Sequence, residues 1–225
     1  FKKIFSLVAS TIKLFIFFLL ISNSIADENK NFSNDKGILS IMYHRFEENK
    51  YPSTNIKMDI FKKHMSLINE RGYNFFHPKE FQEKFFVAKK EKEILLTIDD
   101  AFSSFYNNAW PYLKKNKIPF ILFVSTEHIG KTGYMTWSQI KEIENEEFGF
   151  IGNHSHSHDY LINFTFDEFK SDIDKSIKIF TNNLGYNPRF FSYPFGEYSL
   201  KQKIYIKNKF DIAFGQHSGV IDINK

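Results

Sequence analysis

Two adjacent carboxylates in this sequence could divide the work of binding a cation and accepting a proton. Asp99 and Asp100 directly follow residues 94–98, an apolar and β-branched run that predicts a buried strand. Neighbouring side chains at a strand end point in different directions, so one carboxylate could bind a metal while the other stays free. Aspartate also caps helix N-termini well, so the pair alone leaves a capping role open.

A second polar group places three histidines within five residues after another predicted strand: His154, His156 and His158. His154 and His158 are spaced i, i+4, so we expect both imidazoles on one face of a helical turn, where they could bind one cation. His156 should face elsewhere and either pack or contact a substrate. The alternative is a polar turn with surface histidines, which leaves the clustering at a strand end unexplained. The clustering therefore favours a metal site.

The ligand chemistry is restricted because the chain contains no cysteine, so a metal must be held by His, Asp or Glu. Asp100, His154 and His158 supply one carboxylate and two imidazoles. This set matches the three-ligand plan of catalytic zinc, in which an open position holds the water nucleophile. A divalent cation is therefore expected, with zinc first and cobalt, nickel or iron admitted by the same ligands.

The elements that must position these residues alternate in the manner of βα units around a parallel sheet. With 225 residues, of which 42% are apolar, the chain can bury one main core. Apolar runs predict seven strands, at residues 37–43, 73–76, 94–98, 119–124, 148–152, 190–193 and 212–215. Helical spacing of apolar residues predicts six helices between them, at residues 59–71, 78–90, 104–116, 136–145, 166–184 and 200–207.

Three stretches, in order and spacing, resemble the motifs of the polysaccharide deacetylases with NodB homology (carbohydrate esterase family four type). Residues 97–100, Thr-Ile-Asp-Asp, are similar to the family's T-F-D-D signature, and residues 154–158, His-Ser-His-Ser-His, resemble its H-[ST]-x-x-H motif. Residues 189–196, Arg-Phe-Phe-Ser-Tyr-Pro-Phe-Gly, resemble its R-x-F-R-x-P-[YF]-G motif. The resemblance covers roughly residue 37 onward. It implies an α/β fold, a distorted TIM-like (β/α) barrel of about seven parallel strands.

The resemblance also implies a role for each matching residue. Asp99 would be the general base, the metal ligands would be Asp100, His154 and His158, and the backbone amide of Phe195 would donate to the oxyanion. A metal and a fixed amide facing the oxyanion would stabilise the tetrahedral intermediate of amide hydrolysis, while Asp99 accepts the proton of the attacking water. Tyr193 stands beside Pro194, which suits a tight loop, and is assigned to substrate binding.

Two positions depart from the family pattern. The second arginine of the third motif, which orients the base, is replaced by Ser192. Arg189 is the alternative orienting group, although it lies earlier on the strand and on its opposite face. The family's late histidine, its general acid, should lie on a Leu-x-His motif, whereas the last histidine of this sequence is His217. We assign His217 as the general acid, with an acid beyond Lys225 as the alternative.

Other residues are weaker candidates for substrate contact. Residues 42–46, Met-Tyr-His-Arg-Phe, contain a Y-H-x-F pattern similar to the exported subgroup that acts on extracellular poly-N-acetylglucosamine. His44 is therefore expected beside the metal ligands or the substrate, with a buried core histidine as the alternative. Trp137 could stack on a sugar ring, although core packing is the more frequent fate of tryptophan. The remaining histidines, His64, His77 and His128, are interpreted as surface or packing residues.

The N-terminal residues resemble a secretory signal peptide. Two lysines precede an apolar run over residues 4–21, and small residues at 24 and 26 suit cleavage after Ala26. We therefore expect a signal peptide at 1–26, a linker at 27–36 and the deacetylase domain at 37–225, with the domain truncated at its C-terminus as one alternative. An uncleaved membrane anchor is the alternative for the apolar run. The expected location is the periplasm, the cell envelope or the extracellular space, with membrane contact only through an uncleaved segment.

These observations predict a metal-dependent hydrolase that removes N-acetyl groups from an amino-sugar polysaccharide. The net charge of +4 comes from scattered lysines and does not indicate a nucleic-acid partner. One alternative is a non-catalytic glycan-binding module, which the departure at Ser192 favours and the free carboxylate of Asp99 opposes. Another is a hydrolase of O-acetyl esters or small cyclic amides; export argues against the small-metabolite version.

Overall fold

The computed structural model describes residues 37–83, 92–216 and 220–221. The strands within these ranges are β1 (Ile38–Tyr43), β2 (Arg45–Phe46), β3 (Asn55–Ile56), β4 (Asn74–Phe75), β5 (Glu93–Asp99), β6 (Phe120–Val124), β7 (Gly149–Asn153), β8 (Phe190–Ser192), β9 (Ile212–Phe214) and β10 (Val220–Ile221). The α-helices there are α1 (Met58–Glu70), α2 (Glu80–Glu83), α3 (Trp110–Asn116), α4 (Trp137–Glu144), α5 (Phe166–Leu184) and α6 (Leu200–Lys207).

One sheet organises the fold, in the order β10-β1-β5-β6-β7-β8-β9, with β4 also paired to β5. Its pairings are parallel except that of β1 with β10, which is antiparallel. Residues of β1 and β10 at one edge and β9 at the other line a common cavity of about 940 Å³, so the sheet curls into a half-barrel. The predicted α/β fold with a distorted (β/α) barrel is confirmed.

Each of the seven predicted strands is present, with bounds that differ by two residues or fewer. The sequence did not predict β2, β3 or β10, because strands of two residues are too short to show alternation. The predicted helix at 104–116 is divided into a π-helical turn, Phe105–Ala109, and α3. Of the predicted helix at 78–90, the structure describes Glu80–Glu83, and the rest lies outside the described residues.

Capping boxes determine where three of the helices begin. Thr136, Thr165 and Ser199 each accept a hydrogen bond from the backbone N–H three residues later, and a Gln or Glu side chain there returns the bond to the cap. This arrangement satisfies N–H groups that a helix start leaves unpaired. Helix α5 ends at Gly185, whose φ of 86° is the left-handed conformation that glycine adopts without strain.

The core lies between the convex face of the sheet and the helices. Helix α1 contributes the apolar side chains of Phe61, Met65 and Ile68, spaced at i, i+4 and i+7 as the sequence predicts. Phe61 makes edge-to-face contacts with Tyr43 and Phe46, with ring centroids 5.0 and 5.1 Å apart. Such pairs add to the free energy gained by burying the rings, so much of the phenylalanine content serves packing.

The parallel register brings the two polar motifs to one edge of the sheet. Strand β6 pairs with both β5 and β7, with Phe123 opposite Asp99 on one side and Gly152 on the other. The carboxyl ends of the three strands therefore lie side by side, and residues 99–100 and 154–158 follow strands two positions apart. This is the edge at which barrel enzymes carry their active sites.

Within the described ranges, no helix is both long and apolar enough to span a bilayer. The predicted signal peptide at 1–26 and the predicted linker at 27–36 lie outside the described residues, which begin at Gly37. The prediction of export therefore stays a prediction.

The packing of α1 predicts different costs for two isoleucine substitutions on the same helix. Ile68 is 6% exposed in the core, whereas Ile60 is 38% exposed. Ile68→Ala should lower the free energy of unfolding by about 2–5 kcal/mol, because it leaves a cavity. The matched control Ile60→Ala should cost about 1 kcal/mol or less. Urea unfolding followed by tryptophan fluorescence measures both, and equal losses would contradict this placement of the helix.

Candidate active site

Three side chains converge where β5 and β7 end, and their geometry fits one cation. The candidate ligand atoms of Asp100, His154 and His158 all lie within 4.8 Å of one another. Asp100 Oδ1 is 2.8 Å from His158 Nε2 and 3.6 Å from His154 Nε2. Zinc bonds of about 2.0–2.2 Å in a tetrahedral arrangement place ligand atoms roughly 3.3 Å apart. These residues, which the sequence predicts as ligands, can therefore hold a divalent cation.

The protonation state of His154 also suits a metal ligand. Its Nδ1 lies 2.8 Å from the backbone carbonyl of Ser192, and because a carbonyl can only accept, Nδ1 must donate. Burial lowers the pKa of His154 to about 4, so the ring is neutral and Nε2 carries a lone pair. That atom is buried, has no hydrogen-bond partner in the part of the chain that the structure describes, and lies 3.8 Å from Asp99 Oδ2. A lone pair facing carboxylates is a metal-ligand arrangement.

The charges of Asp100 and His158 are coupled through their contact. Burial alone would raise the pKa of Asp100, but the imidazoles of His158, His154 and His44 outweigh it and lower that pKa to about 2. Burial opposes protonation of His158, yet the carboxylate of Asp100 raises the pKa of that imidazole. A cation that binds here therefore replaces a proton, as is general for sites containing histidine.

The histidine motif is an irregular loop, so the predicted helical turn is wrong. Ser155 and His158 have φ values of 69° and 60°, a left-handed conformation that prevents a helix. Side chains replace the helical hydrogen bonds: Asn153 Oδ1 accepts from the backbone N–H of Ser155 at 2.8 Å, and Ser155 Oγ accepts from that of His158 at 3.1 Å. The loop brings His154 and His158 together by a different route from the i, i+4 spacing.

Asp172 of α5 holds the centre of this loop and was not predicted from the sequence. Its carboxylate accepts the backbone N–H groups of His156 at 2.8 Å and Ser157 at 2.9 Å. Two N–H groups that would otherwise be buried without partners are thereby satisfied. Its position in the sequence could have indicated this role, because Asp172 and Ser176 share the buried face of α5 with Phe169, Ile173 and Phe180. A polar residue in an apolar stripe indicates a specific buried partner.

His156 faces away from the triad. Its Nδ1 lies 2.9 Å from Thr126 Oγ1, and the residue is 9% exposed. The expectation that it points elsewhere is confirmed, and of the two roles left open the structure favours packing.

Asp99 lies beside the triad but makes no equivalent pairing. It is 1% exposed, and among the described residues neither of its carboxylate oxygens has a hydrogen-bond partner. Burial first, and the charge of Asp100 second, raise the pKa of Asp99 well above its ordinary value. The carboxyl lines the large interior cavity together with Ser192. A carboxylate with free lone pairs next to a metal site has the chemistry of a general base.

Arg189 does not orient this carboxylate, which corrects the alternative given above. Its guanidinium pairs through Nε and Nη2 with the carboxylate of Asp211, just before β9. Arg189 precedes β8, at the opposite end of that strand from Ser192. Ser192 itself contributes its backbone carbonyl to the site, through His154.

The third motif forms a tight turn against the triad. Phe195 lies within the turn Pro194–Gly196 with φ 59°, and its ring centroid is 5.2 Å from that of His158. Its side chain is 49% exposed and also contacts Tyr160. Tyr193 is 2% exposed, and its ring stacks on Tyr198 with centroids 4.5 Å apart. The motif thus places the ring of Phe195 against His158, whereas the ring of Tyr193 lies in the interior.

The other residues that the sequence predicts for the site are His44, Trp137 and His217, and of the two that the structure describes only His44 is found near the triad. His44 follows β1 and is half-buried; burial lowers its pKa, and the charges of Asp100 and His158 also act on it, so it lies near the triad. The structure does not bring Trp137 into the site, because its ring packs on Phe180 of α5 with centroids 5.6 Å apart. His217, the predicted general acid, lies outside the described residues.

A cleft of about 280 Å³ opens beside Asp100 and His158. Its other lining residues are Arg45, Tyr51, Thr54, Phe102, Ser125, His128 and Tyr134. His128 was interpreted as a surface or packing residue, but it faces this cleft and stacks on Tyr134 with centroids 4.8 Å apart. The sequence signal was the placement of these residues in the segments that connect β1, β5 and β6 to the next elements of the barrel, where barrel sites collect their substrate contacts.

Residues 87–214, which contain all three motifs, match the family model described as Polysaccharide deacetylase. The chain belongs to the polysaccharide deacetylase family. It is 30% identical over 161 residues to the Bacillus subtilis protein named "Putative polysaccharide deacetylase YxkH", covering 71% of this chain and 57% of that protein. It is 26% identical over 159 residues to poly-beta-1,6-N-acetyl-D-glucosamine N-deacetylase of Staphylococcus aureus, covering 63% of this chain and 54% of that enzyme.

The fold of this deacetylase-family chain is also similar to solved structures. IcaB from Ammonifex degensii superimposes with a TM-score of 0.74 at 26% identity, over 82% of this chain and 86% of that one. The chain spans only a little more than half the length of the curated relatives it matches.

The ligand geometry predicts that two histidines of this deacetylase motif differ in metal binding. His158→Ala should weaken zinc binding by more than about 100-fold, beyond the 10–100-fold typical for losing a partner outside the ligand set. His156→Gln should bind zinc as the unaltered chain does, because its ring faces Thr126. Competition with a chromophoric chelator measures both affinities. Equal weakening in the two variants would show that the loop, and not a ligand, had been lost.

The contact between α5 and the loop predicts a role for Asp172 in positioning the ligands. Asp172→Asn replaces one acceptor oxygen by an NH₂ group that cannot accept either backbone N–H, so zinc binding should weaken about 10–100-fold. Asp167 lies in the first turn of the same helix with a side chain that is 89% exposed, and Asp167→Asn is the matched control. The same chelator competition applies. Unchanged affinity in Asp172→Asn would contradict the role given to this contact.

Proposed function

We propose that this chain is the catalytic part of a metal-dependent hydrolase that removes N-acetyl groups from an amino-sugar polysaccharide. The proposal is supported by one observation: a group of side chains that can hold a cation lies next to a carboxylate that can accept a proton. Three side chains are arranged to hold a metal ion, and no described residue forms a hydrogen bond with the oxygens of Asp99 next to them. Metal-assisted hydrolysis needs both a cation site and an adjacent proton acceptor.

Each residue has a proposed part in hydrolysis. A divalent cation held by Asp100, His154 and His158 would supply Lewis acidity and lower the pKa of water. Asp99 accepts a proton from the attacking water, whose oxygen bonds to the acetyl carbonyl carbon. The backbone N–H of Phe195 donates to the oxyanion that develops there. The C–N bond then breaks, the amine takes up a proton, and acetate leaves. His217 stays the predicted donor of that proton.

The proposed substrate is a polymer of N-acetylglucosamine. Support comes from the Staphylococcus aureus relative, whose name gives poly-beta-1,6-N-acetyl-D-glucosamine as its substrate. The cleft beside the triad is lined by aromatic rings, hydroxyls and an arginine, which suit the apolar faces and polar edges of sugars. We propose zinc as the metal, residues 1–26 as a signal peptide followed by the linker, and an exported location for the domain that follows.

A glycan-binding module without catalysis is the second candidate. The observation in its favour is that Ser192 replaces the arginine expected beside the base, and no cationic side chain within the described residues pairs with Asp99. Against it stands the buried carboxyl group of Asp99, which has no partner among the described residues, because burying an unpaired polar group costs folding free energy and a proton acceptor beside a cation site serves hydrolysis.

Acetate release decides between the two candidates. The chain should release acetate from oligomers of N-acetylglucosamine, and a chelator should abolish release until zinc is restored. Asp99→Asn should lower kcat by about 10²- to 10⁴-fold, the range for loss of a general base, while zinc binding persists. Asp59→Asn, at an exposed position of α1, is the control. Oligomer binding without acetate release by the zinc-loaded chain would instead establish the binding module.

A further inference from the structure

One wall of the cleft is an arginine enclosed by two aromatic rings. The guanidinium carbon of Arg45 lies 3.4 Å from the ring centroid of Phe102 and 4.0 Å from that of Tyr51. Cation–π attraction acts on the guanidinium from both rings, and these contacts restrict its plane. Phe102 and Tyr51 come from separate loops, after β5 and β2, so the arrangement is a tertiary one.

A single ion pair fixes the edge of the same guanidinium. Arg45 Nη1 donates to Glu48 Oε2 at 2.9 Å, and the Arg45 side chain is 16% exposed. Glu48 is held in turn, because its backbone N–H donates to Asn55 Oδ1 at 2.7 Å. Within the described residues, this is the only side-chain hydrogen bond of Arg45. The other guanidinium N–H groups thus remain available as donors at the cleft wall.

The aromatic surface of the cleft continues from Phe102 to Tyr134 and His128. The Phe102 ring is 5.0 Å from the Tyr134 ring, which stacks on His128. Asp100 and His158 line the same cleft, so a group bound in it lies next to the reacting centre. At about 280 Å³ the cleft is at the lower end of the range for small-ligand sites, roughly 300 Å³, which suits one monosaccharide unit.

We propose that this cleft is a subsite for the sugar next to the one being deacetylated, and that Arg45 is the positioning residue that sets its specificity. The inference rests on the proposed function. Arg45 donates hydrogen bonds to oxygen atoms of the neighbouring sugar, while Tyr51 and Tyr134 contact its apolar faces. The ligand class is an uncharged, oxygen-rich pyranose. Holding that sugar fixes the polymer, so the adjacent acetamido group is presented to Asp99 and the ligands.

A purely structural role for Arg45, as a link between the loops after β2 and β5, makes different predictions. Such a role would change folding stability and the metal site together. A positioning role changes oligomer binding and KM, and leaves zinc affinity in place. The two roles are therefore separable by measurement.

The variants are Arg45→Met, which keeps the apolar stem but removes every donor, and Arg45→Lys, which keeps the charge but loses the planar donors. Arg71→Met, at the exposed end of α1, is the matched control. Binding of a β-1,6-linked N-acetylglucosamine pentamer is measured by calorimetry with zinc present, in chains that also carry Asp99→Asn. In chains that keep Asp99, KM and kcat for acetate release are measured alongside zinc affinity.

We expect the Kd of the pentamer to rise roughly tenfold or more in Arg45→Met, the loss expected for a hydrogen bond to a charged group, and less in Arg45→Lys. KM should rise by a similar factor with zinc affinity unchanged, and Arg71→Met should match the parent. Unchanged pentamer binding in Arg45→Met, or a parallel loss of zinc affinity, would overturn the proposal. If pentamer binding depends on Arg45 but the parent chain releases no acetate, the subsite stands and the deacetylase function fails.

Discussion

The hydrogen bond from His154 Nδ1 to the carbonyl of Ser192 is the contact on which the candidate site depends. It spans the ends of β7 and β8 at 2.8 Å and fixes which ring nitrogen of His154 carries the proton. The other nitrogen must then offer its lone pair toward Asp100 and Asp99. Because the donor is buried, the bond is protected from water, and a different ring orientation would leave the carbonyl unsatisfied. The adjacent ends of β7 and β8 thus hold the imidazole of His154 in the neutral form that can bind a cation.

Around this contact the backbone is strained where the ligands are attached. Asp100, Ala101, Ser155 and His158 all have φ values between 54° and 73°. Non-glycine residues in this region cost about 1–3 kcal/mol each and persist only where neighbouring contacts determine them. Here those contacts are specific: the carbonyl of Ala101 accepts from the backbone N–H of Met135 at 2.9 Å, and Asp172 holds the histidine loop. The core of the domain therefore supports a geometry that the local sequence would not adopt alone.

The sequence predicted the strands and the ligand set because both depend on short-range patterns. Apolar runs identified the seven strands, and Asp100, His154 and His158 followed from residue type and position after a strand. The helical turn was wrong, because the left-handed residues at 155 and 158 depend on Asp172, a residue that lies on another element. The cleft was missed for a related reason. Arg45, Phe102 and Tyr134 lie far apart in sequence, and their stacking is set by tertiary packing that no local period encodes.

The departure at Ser192 leaves one contact to the candidate metal site in place, because that contact uses the backbone. Position 192 acts on His154 through its backbone carbonyl, so the side chain there can change without altering the protonation of the ligand. The proposed sugar-contacting residues of the cleft also lie on other segments of the chain than most of the candidate ligands. Arg45 lies in the short strand β2 after β1, Phe102 and Tyr134 lie on loops after β5 and β6, and of these three only Phe102 is close in sequence to a candidate ligand. Those loops can vary to suit another polymer while the register of β5, β6 and β7 keeps Asp100 and His154 at one edge. The fold therefore separates the residues proposed to hold the cation from those proposed to contact the sugar.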